Sequence, residues 1–535
     1  MAVRRFSHWL TRQVGYEAML VADRRVLHRR CAEAIESSLI AQRPPLADGD
    51  LRLIIQEEQW RSTARAEAAG ELGRHWELGD EGRRAGLLFL VASAEEWGRS
   101  RFVEALSHAV QARKLLGAAG DGWGEAQAEQ ECGNVLRRQG RYAEAAETSG
   151  KALTAFRASG SERSVASALC GIGWVRANRG EYEAALENFE EALSIGRRLG
   201  DARGVANALN EIGGVHVNHG NYAAALATYG EALAIERKSG NARGVAVALY
   251  GIAIVHAERG EHASALLQNE EALAIFRQSG DARGAASVLA SLGWVHGNRG
   301  EYETALAEYG ESVGIYRRIG DARGVAGLLG AIGSTRRSLG EYGVALTDYL
   351  ESLAMSRGIG DARGIANALL GLGGVRHDRG ELAEALVALD ESEMAASRLR
   401  LADVQTATLA ERSIVRFRAG DPVGAREDAE RAVAAAGSYA PGRAAARISL
   451  AVCTGDARLA LQAAEEARAE GLPYVEAEAL VTAAEILLQN APVGETDGQA
   501  RGAASKATDI ARGHGMLGLL RRAEVLLAGD KPGEA

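Results

Sequence analysis

The chain has 535 residues, more than one hydrophobic core usually supports, so several domains or an array of repeats is expected. Its composition is that of a folded protein, 47% hydrophobic and 25% charged, and its formal charge of −9 argues against a nucleic-acid partner. With 65 Gly, only 7 Pro and 5% aromatics, the chain places glycine at fixed structural positions rather than in disordered segments. No apolar run approaches the roughly 18 residues of a membrane span, and no apolar stretch follows Arg4 and Arg5 as in a secretory leader. The four cysteines (Cys31, Cys132, Cys170 and Cys453) lack metal-ligand spacing and read as buried free thiols of a reducing cytoplasm.

The first elements, in residues 1–79, differ from everything after them. Phe6-Ser7-His8-Trp9-Leu10 and Val14-Gly15-Tyr16 lead to Leu20 and then to Arg24-Arg25-Val26-Leu27-His28-Arg29-Arg30-Cys31-Ala32. Pro44-Pro45 and Asp48-Gly49-Asp50 mark a turn, and Arg74-His75-Trp76-Glu77 opens a further helix. This string resembles the segment that follows the ATPase domain in STAND-type bacterial signalling ATPases, including those linked to nucleotide cyclases or transcription regulators. The chain has no GxxxxGK[ST] loop, so the backbone cradle and lysine that hold nucleotide phosphates are missing. The resemblance therefore implies a trimmed relative or a piece of a longer protein.

From residue 80 the sequence repeats. Gly recurs at 140, 180, 220, 260, 300, 340, 380 and 420, with Ala five residues after each and Ala or Ser twelve after. Residues 80–120, with Phe102, Ala105 and Ala112, form a divergent first copy, and 121–400 hold seven regular 40-residue units. Within one unit, Asp201 to His219 reads as a helix through Val205, Leu209, Ile212 and Val215. Gly220-Asn221 ends it, and Tyr222 to Ser239 forms a second helix with Ala225, Leu226, Tyr229, Ala232 and Leu233 inward. Gly240 is expected as a left-handed C-cap and Asn241 as the next N-cap. Gly213 is expected to face Ala225 and Ala232, letting the two helices approach closely. Divergent repeats continue over 401–515, and 516–535 reads as a capping helix and tail.

A hairpin that is apolar on two sides must stack on its neighbours, which gives an all-α solenoid of antiparallel helix hairpins. Ile172-Gly173, Gly180-Glu181-Tyr182, Ala185, Phe189 and Ala192, and again Leu292-Gly293, Gly300-Glu301-Tyr302, Ala305 and Tyr309, resemble the tetratricopeptide repeat (TPR). That family implies a right-handed superhelix and the binding of a partner. The family's terminal Pro is missing, and 40 residues replace the usual 34 or so. The longer unit resembles the subclass found in spindle-orientation adaptors and bacterial signalling proteins.

Catalytic chemistry finds no support. His216 and His219 could ligate a metal only with a third ligand, and His216 stands where other units have Arg176, His256, His296, Arg336 or Arg376. Glu187, Glu190 and Glu191 read as solvated helix surface. No cofactor, metal or catalytic residue is expected, and the chain is read as no enzyme. In the TPR fold the first helix of each hairpin lines the concave groove. Steps of three and four along it align Arg203, Asn207, Asn210, Gly214 and Asn218. The arginine returns as Arg243, Arg283, Arg323 and Arg363, with Asn178 and Asn298 at the far end and Trp174, Tyr250 and Trp294 in the middle. Such a ladder could grip a protein or peptide with an acidic segment, since Arg forks onto carboxylates. Equally, each arginine could pair with an acidic residue of the preceding hairpin. The resulting expectation is a cytoplasmic scaffold or sensor in a bacterial signalling regulator, without membrane or nucleic acid as partner. The alternatives are a self-assembling solenoid, or the C-terminal part of a STAND ATPase regulating its activity.

Overall fold

A computed structural model describes residues 25–32, 69–98, 101–139, 141–179, 181–399, 401–436, 440–469, 472–490, 498–513 and 516–528. Most of the N-terminal string, from Phe6 to Leu20 and at Pro44-Pro45, lies outside the described residues. Those described are helical throughout, without a strand. Residues 25–32 form a short helix against the end of α1 (Ala69–Leu78), where Arg29 Nε donates to the Gly79 carbonyl at 2.7 Å. Five helices follow: α2 (Gly82–Gly98), α3 (Phe102–Ala118), α4 (Gly122–Arg138), α5 (Tyr142–Ala158) and α6 (Glu162–Asn178). The regular array continues with α7 (Tyr182–Leu199), α8 (Ala202–Asn218), α9 (Tyr222–Ser239), α10 (Ala242–Glu258), α11 (His262–Ser279), α12 (Ala282–Asn298) and α13 (Tyr302–Arg318). Beyond it come α14 (Ala322–Ser338), α15 (Tyr342–Ile359), α16 (Ala362–Asp378), α17 (Leu382–Leu399), α18 (Ala402–Arg418) and α19 (Pro422–Ala435). The last are α20 (Ala440–Thr454), α21 (Ala457–Ala469), α22 (Pro473–Asn490), α23 (Gly498–Gly513) and α24 (Leu517–Ala528). The chain forms two compact units, Met1–Ile172 and Gly173–Ala535, divided inside α6. In the first, Trp76 lies in a core with Leu72, Leu88 and Phe89.

Within each unit, even-numbered helices pack on the odd-numbered helices that follow them (α2 on α3, α4 on α5, then α8 on α9 and onward), so the fold is the expected solenoid of antiparallel hairpins. The junctions follow from two residues. Gly200, Gly240, Gly280 and Gly360 end their helices at φ 64, 71, 70 and 69°, a region that Gly enters without steric cost. The next residue caps the following helix: Asp281 Oδ1 accepts from Gly284 N–H at 2.8 Å, and Asn241 Oδ1 from Gly244 N–H at 3.2 Å.

Hairpin packing departs from expectation in one respect. A Cβ on Gly213 would stand 2.8 Å from the Tyr229 ring, so this glycine makes room for an aromatic ring rather than for Ala225 or Ala232. Gly173 does the same for Phe189 and Gly293 for Tyr309. Ala225 and Ala232 are fully buried all the same. The position that alternates between Ala and Ser has its own reason: Ser312, Ser352 and Ser392 donate to the carbonyls of Ala286, Ala326 and Ala366 at 2.7, 2.7 and 2.9 Å. A buried hydroxyl is tolerated there because a carbonyl of the partner helix in the same hairpin accepts it.

In the unit Gly173–Ala535, successive even-numbered helices touch one another as well as their partners, to a degree the odd-numbered helices do not share. The even-numbered helices therefore line its inner, concave face. That unit also turns back on itself. Ala467 and Leu472, at the junction of α21 and α22, share a buried cluster with Tyr222, Ala225, Tyr229 and Val255. Cys132 and Cys453 are buried as expected, whereas Cys31 and Cys170 are only partly so. Burial pushes the Cys132 thiol up to about 12, which leaves it inert.

Candidate binding face

The arginines expected to grip a partner are each engaged within the solenoid. Arg243 Nε donates to Asp281 Oδ2 at 2.7 Å, Arg283 stands 3.0 Å from Asp321, and Arg323 Nε donates to Asp361 Oδ2 at 2.9 Å. Each acceptor is the N-cap of the next hairpin, so one carboxylate holds a helix start through Oδ1 and the preceding hairpin through Oδ2. The partner lies in the following hairpin, not the preceding one. At the last regular junction Leu401 replaces the capping Asp, and Arg363 reaches Asp403 instead, at 2.6 and 3.3 Å. The position that would continue the series for Arg203 is Asn241, an amide rather than a carboxylate. A second ladder, on the odd-numbered helices, went unnoticed in the sequence: Arg197–Glu231, Arg277–Glu311 and Arg357–Glu391 at 2.8, 2.6 and 3.1 Å. These pairs are about half exposed and contribute little each.

The rest of the stripe sorts differently. Asn207 and Asn218 are exposed, Asn210 and Asn298 half-buried, and Asn178 donates back to the Trp174 carbonyl at 2.9 Å. Trp294 is 38% exposed, while Trp174 and Tyr250 are half-buried. His216 has its pKa lowered, by burial and then by His219. Among the described residues no group of three or more His, Cys, Asp or Glu could hold a metal ion. None of the described helices is long and apolar enough to cross a membrane. The position of His216 is structural: Arg176 and Arg336 there bond Asn188 at 2.9 Å and Asp348 at 2.7 Å across the hairpin.

Beyond α12 the concave face opens into a cavity of about 610 Å³ walled by α14, α16 and α18 and floored by α15. Gly327, Gly330 and Ser334 form one wall, and Asn367, Leu370 and Gly371 the other. Arg323 and Arg363 of the ladder stand at its rim. At one end Arg337 Nη2 bonds Asp378 at 3.2 Å and Glu411 at 3.4 Å, and His377 Nδ1 lies 3.0 Å from Glu411. Burial opposes the charge on Glu411, yet the His377 hydrogen bond and then the Arg337 guanidinium hold its carboxyl below the usual range. Gly374 leaves the Arg337 guanidinium its place, since a Cβ there would force it to move. Arg337 and Glu411 gave no sequence signal, since their partners are 34 or more residues away.

Tetratricopeptide-repeat models match residues 124–198, 204–278 and 285–319, so the chain carries tetratricopeptide repeats. No curated protein sequence matches the chain. Among solved structures, it is similar to a Rap protein in complex with competence and sporulation factor, at 14% identity, covering 66% of this chain and 99% of that one, TM-score 0.49. It is likewise similar to the apo quorum sensor NprR from B. thuringiensis, at 16% identity over 66% and 99% of the two chains, TM-score 0.42. BtubC from P. vanneervenii is 18% identical over 41% and 92%, TM-score 0.35.

Proposed function

We propose that the unit Gly173–Ala535 is a protein-interaction scaffold whose concave face takes a segment of another protein or a peptide. One observation carries the reading. Positions that build the repeat recur almost unchanged, but those turned to the concave face do not: Asn207, Val247, Ser287, Gly327 and Asn367 are equivalent, as are Gly214, Ile254, Trp294 and Ser334. Asn207, Val247, Gly327, Asn367, Trp294 and Ser334 are exposed, so packing within the solenoid leaves their variety free to serve recognition. Trp294, Tyr250 and Ile254 offer apolar anchors, and Asn207, Asn210, Asn218 and Asn298 offer amide bonds to a partner's main chain. The expected acidic partner is replaced in this reading by a polar and aromatic one, because Arg243, Arg283, Arg323 and Arg363 already face carboxylates. The resemblance of residues 1–79 to the segment after a signalling ATPase supports a role as the cytoplasmic sensor arm of a bacterial regulator.

The reading is tested by selecting peptides from a random displayed library on the whole chain and titrating them calorimetrically. Tyr250→Ala and Trp294→Ala should each weaken binding about 10- to 30-fold, as truncated aromatic anchors do. Leu267→Ala and Met394→Ala, on exposed residues of odd-numbered helices, should leave it unchanged. Equal affinity in all four variants would sink the proposal.

A further inference from the structure

The cavity beside α15 has a shape that the repeat itself explains. In α9, α11, α13 and α15 one position near the helix end packs on the glycine three residues after the next N-cap, as Glu236 does on Gly244. In α11 this position is Phe276, whose ring would lie 2.5 Å from a Cβ on Gly284; in α13 it is Tyr316, 2.7 Å from a Cβ on Gly324. The Tyr316 ring also reaches back to α12, where its hydroxyl lies 2.8 Å from Ser287 Oγ. In α15 the residue is Ser356, whose Oγ lies 2.6 Å from where a Cβ on Gly364 would stand. The hydroxyl thus occupies only the root of the ring's place. The residue equivalent to Ser287 is Gly327, and a Cβ on it would meet nothing within 4 Å.

A ring-shaped space therefore runs from Gly364 to Gly327, filled by no side chain of the described residues, and Ser356, Gly364 and Gly327 all line the cavity. The next hairpin shows what a closed seat looks like: there the small residue is Ala396, and Val404 replaces the glycine and packs in the same buried cluster. Two polar atoms support a ligand here independently of the glycines. Ser356 is 1% exposed with an Oγ that finds no partner among the described residues, and the buried Arg363 Nε finds none there either.

The geometry points to this cavity as a seat for a tyrosyl side chain of the partner segment. The ring lies where Phe276 and Tyr316 lie in the preceding hairpins, and the phenol oxygen accepts from the unpartnered donors. At about 610 Å³ the cavity also admits flanking main chain, within the roughly 300–1,000 Å³ of ligand sites. This rests on the reading that the concave face takes a partner segment, and it names the residue that segment presents.

The test uses N-acetyltyrosinamide on the whole chain, followed by ligand-observed NMR, with N-acetylleucinamide as control. Saturable binding with a Kd on the order of 1 mM is expected for so small a ligand. The leucine amide should bind about fivefold more weakly, the worth of an aromatic contact beyond its area. Ser356→Tyr supplies the ring in cis and should abolish binding while raising Tm. Gly327→Leu closes the other end from an exposed helix position and should abolish binding at unchanged helicity. Equal binding of the two amides, or unaltered binding in Gly327→Leu, overturns the seat whatever Ser356→Tyr does to stability. If the amides fail while the Tyr250 and Trp294 variants still lose selected peptides, the seat alone is wrong. If the amide result holds while those variants bind normally, the scaffold reading is at fault.

Discussion

Asp281, Asp321 and Asp361 each satisfy a helix N-terminus and a neighbouring arginine with the two oxygens of one carboxylate. Asp361 is 4% exposed, so removing it strands the Gly364 amide and the Arg323 guanidinium together. Asp361→Ala should cost about 2 kcal/mol in urea denaturation, from a lost cap and a lost charge-assisted bond. Asp361→Asn, which keeps the capping oxygen as Asn241 does, should cost clearly less. Glu308 offers a pH test. Burial, and then Glu301, Glu311 and Glu270, push its carboxyl up to about 7 from 4.5, with His296 3.5 Å away. A raised folded-state value means that the folded chain holds this proton more tightly. The stability it contributes is full below about pH 4.5 and disappears as pH rises to about 7. Glu308→Gln should therefore lessen the decline of Tm across that window. An unchanged profile would contradict the assignment.

Helices and their pairing were legible because most junctions between hairpins spell their own geometry. Gly240 followed by Asn241 stands in sequence as a left-handed cap and an N-cap, and both hold in three dimensions. What faces what inside a hairpin was not legible. Gly213 was matched to alanines by size, yet the ring of Tyr229 takes the space, because a glycine admits a neighbour's bulk as readily as its backbone. Gly213→Val should accordingly displace that ring and destabilise by about 1–3 kcal/mol, the usual cost of overpacking, read from the chemical denaturation midpoint. The arginine ladder shows the same limit. Its period was plain, but period alone does not tell a groove residue from a tie between hairpins. The Oδ2 atoms of the capping aspartates decide for the tie.

At the scale of the whole chain, repetition made the solenoid readable and hid the site. The cavity by Ser356 arises from two small residues meeting across a junction, Ser356 and Gly364, each unremarkable alone. The return of α21 and α22 onto Tyr222 and Val255 joins residues more than 200 positions apart, which no local pattern carries. The claim that governs the rest is that a partner lies along the concave face of Gly173–Ala535. A library-selected peptide carrying a benzophenone group, photo-crosslinked to the whole chain and mapped by mass spectrometry, tests it directly. Crosslinks confined to α8, α10, α12, α14, α16 and α18 and to the cavity floor on α15 are the predicted result, and crosslinks on the exposed faces of α11, α13 or α17 would contradict it.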